Sequence, residues 1–133
     1  MDPAITITTG SVTLDLKGYT ISNIFQPPIG STGASVDVEI PINATTNNIS
    51  IRNGTIKNFE QGVAIIPQSG PTFYISNIRV NQITFITKYG YIGVHLRQAN
   101  SSSISNCRFI GCGIAQGGNR YNNNSLIGGS MLV

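Results

Sequence analysis

Residues 48–65 read NISIRNGTIKNFEQGVAI, and the pattern of this stretch recurs along the chain. In residues 49–52 isoleucines alternate with polar residues, as in a strand that buries one face. The Asn53-Gly54 pair then offers a backbone position that tolerates positive φ. At residues 62–65 a glycine leads into a second short apolar run. The stretch therefore predicts two short strands joined by turns.

Three other segments repeat this pattern. The residues aligned with Ile49, Ile51 and Ile56 are Leu14, Leu16 and Ile21, then Ile78, Val80 and Phe85, and then Ser102, Ile104 and Phe109. The glycine-led strand recurs at residues 93–96 and 113–116. The last residues of successive triplets are 35, 29 and 24 positions apart, which confines insertions to the turns. Short strands with variable turns predict a solenoid, in which each unit covers the apolar face of the next.

Composition agrees with an all-β chain. Its 133 residues suit one domain over residues 1–133, and 40% of them are apolar, enough to line a core. Isoleucine is abundant and helix-favouring residues are sparse, so strands are expected and no helix is. The apolar run at residues 126–133 is expected to form a C-terminal cap or an interface strand.

The stretches between the repeats are predicted from their turn residues. Residues 25–35 carry two prolines and two glycines, which predicts a long loop. A strand is expected at residues 36–40, followed by a polar turn at 43–48. Residues 88–91, KYGY, are expected to form an aromatic turn.

Charge and sequence motifs argue against several partners. The net charge of +3 comes from eight cations and five acids scattered along the chain. Because no basic cluster is present, nucleic-acid binding is not expected. No segment reads as a signal peptide or a membrane span, so an intracellular or virion component is expected. No cofactor is indicated.

The repeat resembles the right-handed parallel β-helix family, which includes pectate lyases, polygalacturonases and phage tailspikes. The resemblance rests on VTLDLKGYTIS at 12–22, ISIRNGTIKNFEQGVAI at 49–65 and SISNCRFIGCGIA at 103–115. It implies an all-β, right-handed parallel β-helix of about four to five short coils, with equivalent side chains stacked in ladders. The family includes lyases, hydrolases, adhesins and spikes, so the fold leaves activity open.

In that family the outer face of the first strand often forms a sugar-binding groove. The outward positions predicted here are Asp15 and Lys17, Ser50 and Arg52, Arg79 and Asn81, and Ser103 and Ser105. The paired aspartates of family hydrolases are missing from this strip, so no catalytic residue is assigned. If the chain does cleave polysaccharide, Asp15, Arg52 and Arg79 are the candidates. The alternative is a solvated strand face.

One cluster of aromatic residues and cations is predicted to contact a ligand. Lys88, Tyr89, Tyr91 and Arg97 lie close together in the sequence, and aromatic rings stack on the apolar faces of sugars. His95 is included as a further contact. The alternative is a turn whose tyrosines pack against the neighbouring coil.

His95, the only histidine, is predicted to point outward between Ala64 and Ala115 of the adjoining coils. No acid aligns beside it, which favours a surface histidine over a general base. No metal site is expected, because one histidine and two cysteines supply too few ligands for zinc. Cys107 and Cys112 are expected to be reduced core residues, with a local disulfide as the alternative.

The sequence therefore favours a non-enzymatic structural or adhesive protein. Self-association or membership of a larger assembly, such as a virion or surface spike, is expected from the apolar coil ends. Shallow contacts with polysaccharide or protein are expected along a coil face. The alternative is a truncated or degenerate polysaccharide lyase or hydrolase.

Overall fold

A computed structural model describes residues 5–22, 42–66, 75–97, 99–117, 125–127 and 130–132. These residues form β-strands and no helix, which confirms the all-β prediction. The predicted loop at 25–35 and strand at 36–40 lie outside the described residues. The strands are β1 (Ile5–Ile7), β2 (Val12–Asp15), β3 (Thr20–Ser22), β4 (Ile42–Ala44), β5 (Ile49–Lys57), β6 (Gln61–Ile65), β7 (Ile75–Ser76), β8 (Ile78–Arg97), β9 (Ala99–Asn100), β10 (Ser103–Ser105), β11 (Arg108–Gly117), β12 (Ser125–Ile127) and β13 (Ser130–Leu132).

Eleven of these strands form one curled sheet, and every strand pair in the described residues is parallel. Ladder A contains β1, β4, β6 and the later parts of β8 and β11. Ladder B contains β2, the first part of β5, the first part of β8, β10 and β12. Ladder C contains β3, the second part of β5, the middle of β8, the first part of β11 and β13. Apart from β7 and β9, which pair with each other in a separate two-stranded sheet, the strands follow one another in the order A, B, C, and one such passage through the three ladders is called a layer.

Residues with left-handed backbone conformation mark the corners between ladders. A residue with φ between 50° and 60° precedes each of the first four ladder B strands: Ser11, Asn48 and Asn77 stand directly before theirs, and Ser101 stands two positions before β10. A second set lies between ladders B and C, at Lys17, Asn53, Gln82 and Asn106. Asparagine tolerates this conformation better than most residues. Asn77 Nδ2 also donates a hydrogen bond to Asn48 Oδ1 at 2.8 Å, which joins two layers at one corner.

The core consists of apolar residues that stack in register. The predicted pairing of Ile49, Ile51 and Ile56 with Ile78, Val80 and Phe85 is confirmed, and all six are at most 1% exposed. Phe85 stacks on Phe109 with ring centroids 5.0 Å apart and planes at 12°. A Cβ on Gly93 would lie 2.7 Å from the Phe109 ring. The glycine that leads the repeated second strand therefore makes room for a phenylalanine.

The prediction for the first repeat is wrong by two residues. Val12 and Leu14, not Leu14 and Leu16, pair with Ile49 and Ile51, although Ile21 does pair with Ile56. The corner after β2 has four residues, 16–19, where the next layer has only 53–54, so counting back from Ile21 misplaces the earlier positions. Leu16 instead packs at this corner, where a Cβ on Gly54 would lie 2.7 Å from Leu16 Cδ1.

One predicted turn is wrong in its first two residues, and another is wrong throughout. The start of the polar turn at 43–48 belongs to β4, which pairs with β1 and β6 in ladder A. The predicted aromatic turn at 88–91 stays extended within β8. The segment nevertheless contains an insertion. Ile86 and Tyr91 are separated by four residues of β8, whereas their partners in β11, Ile110 and Cys112, are separated only by Gly111.

Candidate functional site

The outer face of ladder B forms a polar strip of two rows. The register places Thr13, Ser50, Arg79 and Ser103 in one row and Asp15, Arg52, Asn81 and Ser105 in the other. All three residues named as catalytic candidates from the sequence lie on this strip. Lys17, which was predicted to belong to it, lies instead at the corner after β2 with φ 51°.

Asp15 is held by three donors from its own chain. The backbone N–H of Lys17 donates to Oδ1 at 2.9 Å, Arg52 Nε donates to Oδ2 at 3.1 Å, and Asn53 Nδ2 donates to Oδ1 at 3.3 Å. The Lys17 amide, followed by the Asn53 and Arg52 side chains, lowers the pKa of Asp15 below its ordinary 3.8. The carboxylate is therefore ionised at neutral pH, and it connects β2 to the next layer. A group in that state is a poor general acid.

Arg79 differs from Arg52 in having no acidic partner among the described residues. It is exposed, and its neighbours in the row are Ser50 and Ser103. With Thr13, Ser50, Asn48 and Asn77 it borders a shallow depression of about 200 Å³. A free guanidinium among hydroxyl and amide groups can donate hydrogen bonds to an oxyanion.

The second row contains an unusual acceptor. Asn81 Oδ1 is buried and has no hydrogen-bond partner. It follows Arg52 in the register and precedes Ser105. A wider, open depression of about 580 Å³ lies at the adjacent corner, bordered by Asp15, Lys17, Asn53, Thr55 and Gln82. The strip thus combines one neutralised cation, one free cation and several uncharged hydrogen-bonding groups.

His95 lies on ladder A, and its predicted neighbours Ala64 and Ala115 are its register partners. It is partly buried, and its Nδ1 lies 2.8 Å from Gln61 Oε1. Burial, and secondly the charge of Arg97, lower the pKa of His95 below its ordinary 6.5. The imidazole is therefore neutral at pH 7. With a proton on Nδ1 it donates to Gln61 and leaves Nε2 as an acceptor.

The structure gives a partial view of the predicted ligand-contact group. Lys88 and Tyr89 lie in β8, but their side chains are outside the described part of the structure. Tyr91 is partly buried and Arg97 is exposed. A shared binding surface for the five residues remains a prediction.

Both cysteines are buried and free. Cys107 Sγ lies 3.4 Å from the Ser105 carbonyl oxygen, and burial raises the pKa of its thiol. Burial raises the pKa of Cys112 to about 11. Neither thiol is therefore ionised at neutral pH, and a thiolate is the form that acts as nucleophile or metal ligand.

Within the ranges given above, no group of three or more histidine, cysteine or acidic residues could hold a metal ion. In the same part of the chain no helix has the length and hydropathy to cross a membrane.

Comparison of the chain with models of protein families, with curated proteins and with solved structures finds no match in any of the three. The candidate site therefore has to be interpreted from its own geometry.

Sequence reasoning missed Gln61 as the partner of His95. Gln61 pairs by register with Ile92, not His95, so alignment of the repeats does not bring the two together. It also missed the hydrogen bond between Asn48 and Asn77. A signal for it was present, because an asparagine directly precedes both β5 and β8.

Proposed function

We propose that the chain is a right-handed parallel β-helix that acts as a non-enzymatic structural or adhesive scaffold. The constant A, B, C order of parallel ladders supports the β-helix, because a chain that returns repeatedly to the same ladders winds around a common core. Right-handedness follows from the strong preference of parallel crossover connections for that hand. Five strands in each ladder would correspond to five stacked layers.

The observation that carries the non-enzymatic assignment is the state of Asp15. It is the one acid on the polar strip, and its oxygens already accept hydrogen bonds from Lys17, Arg52 and Asn53. Glycoside hydrolysis needs one carboxyl group that gives up a proton and a second that acts as base or nucleophile. Asp15 instead connects two neighbouring layers.

The test is a turnover assay on a panel of uronans and neutral polysaccharides. We expect neither unsaturated products nor new reducing ends, for the wild type or for Asp15→Asn. Products that form with the wild type and disappear in Asp15→Asn would overturn the scaffold assignment. Circular dichroism of both proteins would show that the comparison is between folded chains.

A second candidate function is polysaccharide cleavage by elimination, and Arg79 favours it. An unpaired arginine beside a polar depression is the type of residue that the family's lyases use as a base. If the chain cleaves uronans by elimination, Arg79→Ala should abolish the unsaturated products that the wild type forms; if it only binds them, Arg79→Ala should weaken retention on an acidic glycan column. Retention that is unchanged in Arg79→Ala would remove this residue from both candidate functions.

A further inference from the structure

One end face of the stack of layers is less well covered than the layers behind it. This face is the first layer, made of β1, β2 and β3, each of which has one parallel partner among the described strands. Four of its five apolar strand residues are only partly buried, the exception being Ile7, whereas the register partners of those four are at most 1% exposed. The pairs are Ile5 with Ile42, Val12 with Ile49, Leu14 with Ile51, and Ile21 with Ile56.

The backbone of β2 also has hydrogen-bonding groups directed away from the sheet. The N–H of Leu16 donates to the Arg52 carbonyl oxygen at 2.9 Å. In a parallel ladder, alternate residues bond to opposite neighbours, so the N–H and C=O groups of Thr13 and Asp15 are directed away from β5. An edge that no other described strand covers is a template for another strand.

The opposite end face of the stack offers strand edges that belong to the same ladders as β2 and β3. β12 pairs only with β10, and β13 only with β11, among the described strands. By backbone register, Leu126 follows Leu14, Ile51, Val80 and Ile104 in ladder B. Met131 continues the row of Ile21, Ile56, Phe85 and Phe109. Apolar positions at one face would therefore meet apolar positions at the other.

The order of the ladders fits this contact as well. The described strands start in ladder A with β1 and finish in ladder C with β13, and each ladder contains five. A first layer placed on β12 and β13 continues the A, B, C order, with no strand doubled or skipped. This phase match specifies a second copy of the same chain better than it specifies an unrelated partner.

We propose that the first layer of one copy docks in parallel on β12 and β13 of a second copy, so that copies stack head to tail. The inference rests on the proposed scaffold function and names its partner. Two different faces meet in this contact, and translation along the stack does not close it. Open chains of copies therefore form, in contrast to a closed oligomer of fixed size.

The experiment is light scattering of the wild type over a tenfold range of concentration, together with variants of each face. We expect a mean mass that rises steadily with concentration. Leu14→Lys places a charge on the docking face, and Thr13→Pro removes an outward N–H without removing a bond to β5. Each should shift association to about tenfold higher concentration or more, since burial of an unpaired charge or loss of an edge bond costs at least about 1.4 kcal/mol.

Ser50→Lys is the matched control, because it puts the same charge on the polar strip of a middle layer. It should leave the mass profile unchanged. The proposal is overturned by a monomer at every concentration, or by an oligomer of fixed mass that Ser50→Lys dissociates and Leu14→Lys does not. Circular dichroism identifies any variant that fails to fold. Because Leu14→Lys and Thr13→Pro change the docking face in different ways, the same effect in both excludes a folding defect in one of them as the cause. Turnover in the uronan assay would defeat the scaffold function without altering these masses.

Discussion

The middle and first layers of the sheet carry the same pattern but differ in burial. In the middle, Ile56 lies between Ile21 and Phe85 and is fully buried. Ile21 occupies the equivalent position in the first layer and is only partly buried. An apolar residue here gains its burial from the layers on both sides of it. The repeat therefore stabilises the structure in proportion to the number of neighbouring layers.

Truncation of the same residue type in both layers tests this comparison with the largest expected effect. Ile56→Ala should lower the free energy of unfolding by about 2–5 kcal/mol, because it leaves a cavity between two packed layers. Ile21→Ala should cost clearly less, since its site is already partly open to water. Urea denaturation of both variants gives the two values. Equal losses would mean that the first layer is as well covered as the middle.

The phenylalanine stack provides a second test, by overpacking. Gly93→Ala adds a methyl group whose carbon would lie 2.7 Å from the Phe109 ring and 3.2 Å from Phe85 Cγ. We expect a loss of about 1–3 kcal/mol, because two stacked rings have to shift. Combining it with Phe109→Leu should recover part of that loss. If the double variant loses the sum of the two single effects, the glycine is needed for some reason other than the ring.

The corners allow a smaller test. Asn77 has φ 58° and donates a hydrogen bond to Asn48 Oδ1. Asn77→Ala should cost about 1–2 kcal/mol, since alanine is disfavoured in the left-handed region. Asn77→Gly loses the same hydrogen bond but adopts this conformation readily, so it should cost less. Thermal unfolding of the pair separates backbone strain from the bond, and equal costs would contradict a role for the backbone conformation.

The sequence predicted the middle layers better than the first, for a physical reason. Ile49, Ile51 and Ile56 align with Ile78, Val80 and Phe85 because the corner between ladders B and C is equally long in both layers. The longer corner at residues 16–19 broke that count, so Leu16 was placed in a strand. Corner length depends on local backbone conformation, and apolar periodicity does not report it.

The candidate site was predictable only in outline. Alternation placed Asp15, Arg52 and Arg79 on one outer strip, as the register has them. It did not predict that Asp15 is occupied by three donors, one of which is the backbone N–H of Lys17 at a left-handed corner. Contacts such as this, and that of Gln61 with His95, depend on side-chain conformations between layers, which a one-dimensional pattern does not specify.

The smallest expected effect concerns His95, whose pKa is lowered mainly by burial and secondly by Arg97. Below its ordinary value of 6.5 the unfolded chain takes up a proton more readily than the folded one. Stability should therefore fall as the pH drops through 6.5 towards the folded pKa, and it should be independent of this group above that range. Urea denaturation at pH 7.5 and about 5.5 measures the difference.

His95→Gln is the control for that measurement, because it removes the titrating group from the site beside Gln61. Asp15 does not confuse the comparison, since its pKa is already below 3.8 and it stays ionised across the interval. We expect the wild type to lose more stability than His95→Gln on acidification. An equal loss in both proteins would assign the pH dependence to other groups. A loss confined to the wild type would show that the outer face of ladder A, unlike the polar strip, is shielded from water enough to disfavour the charged form of His95.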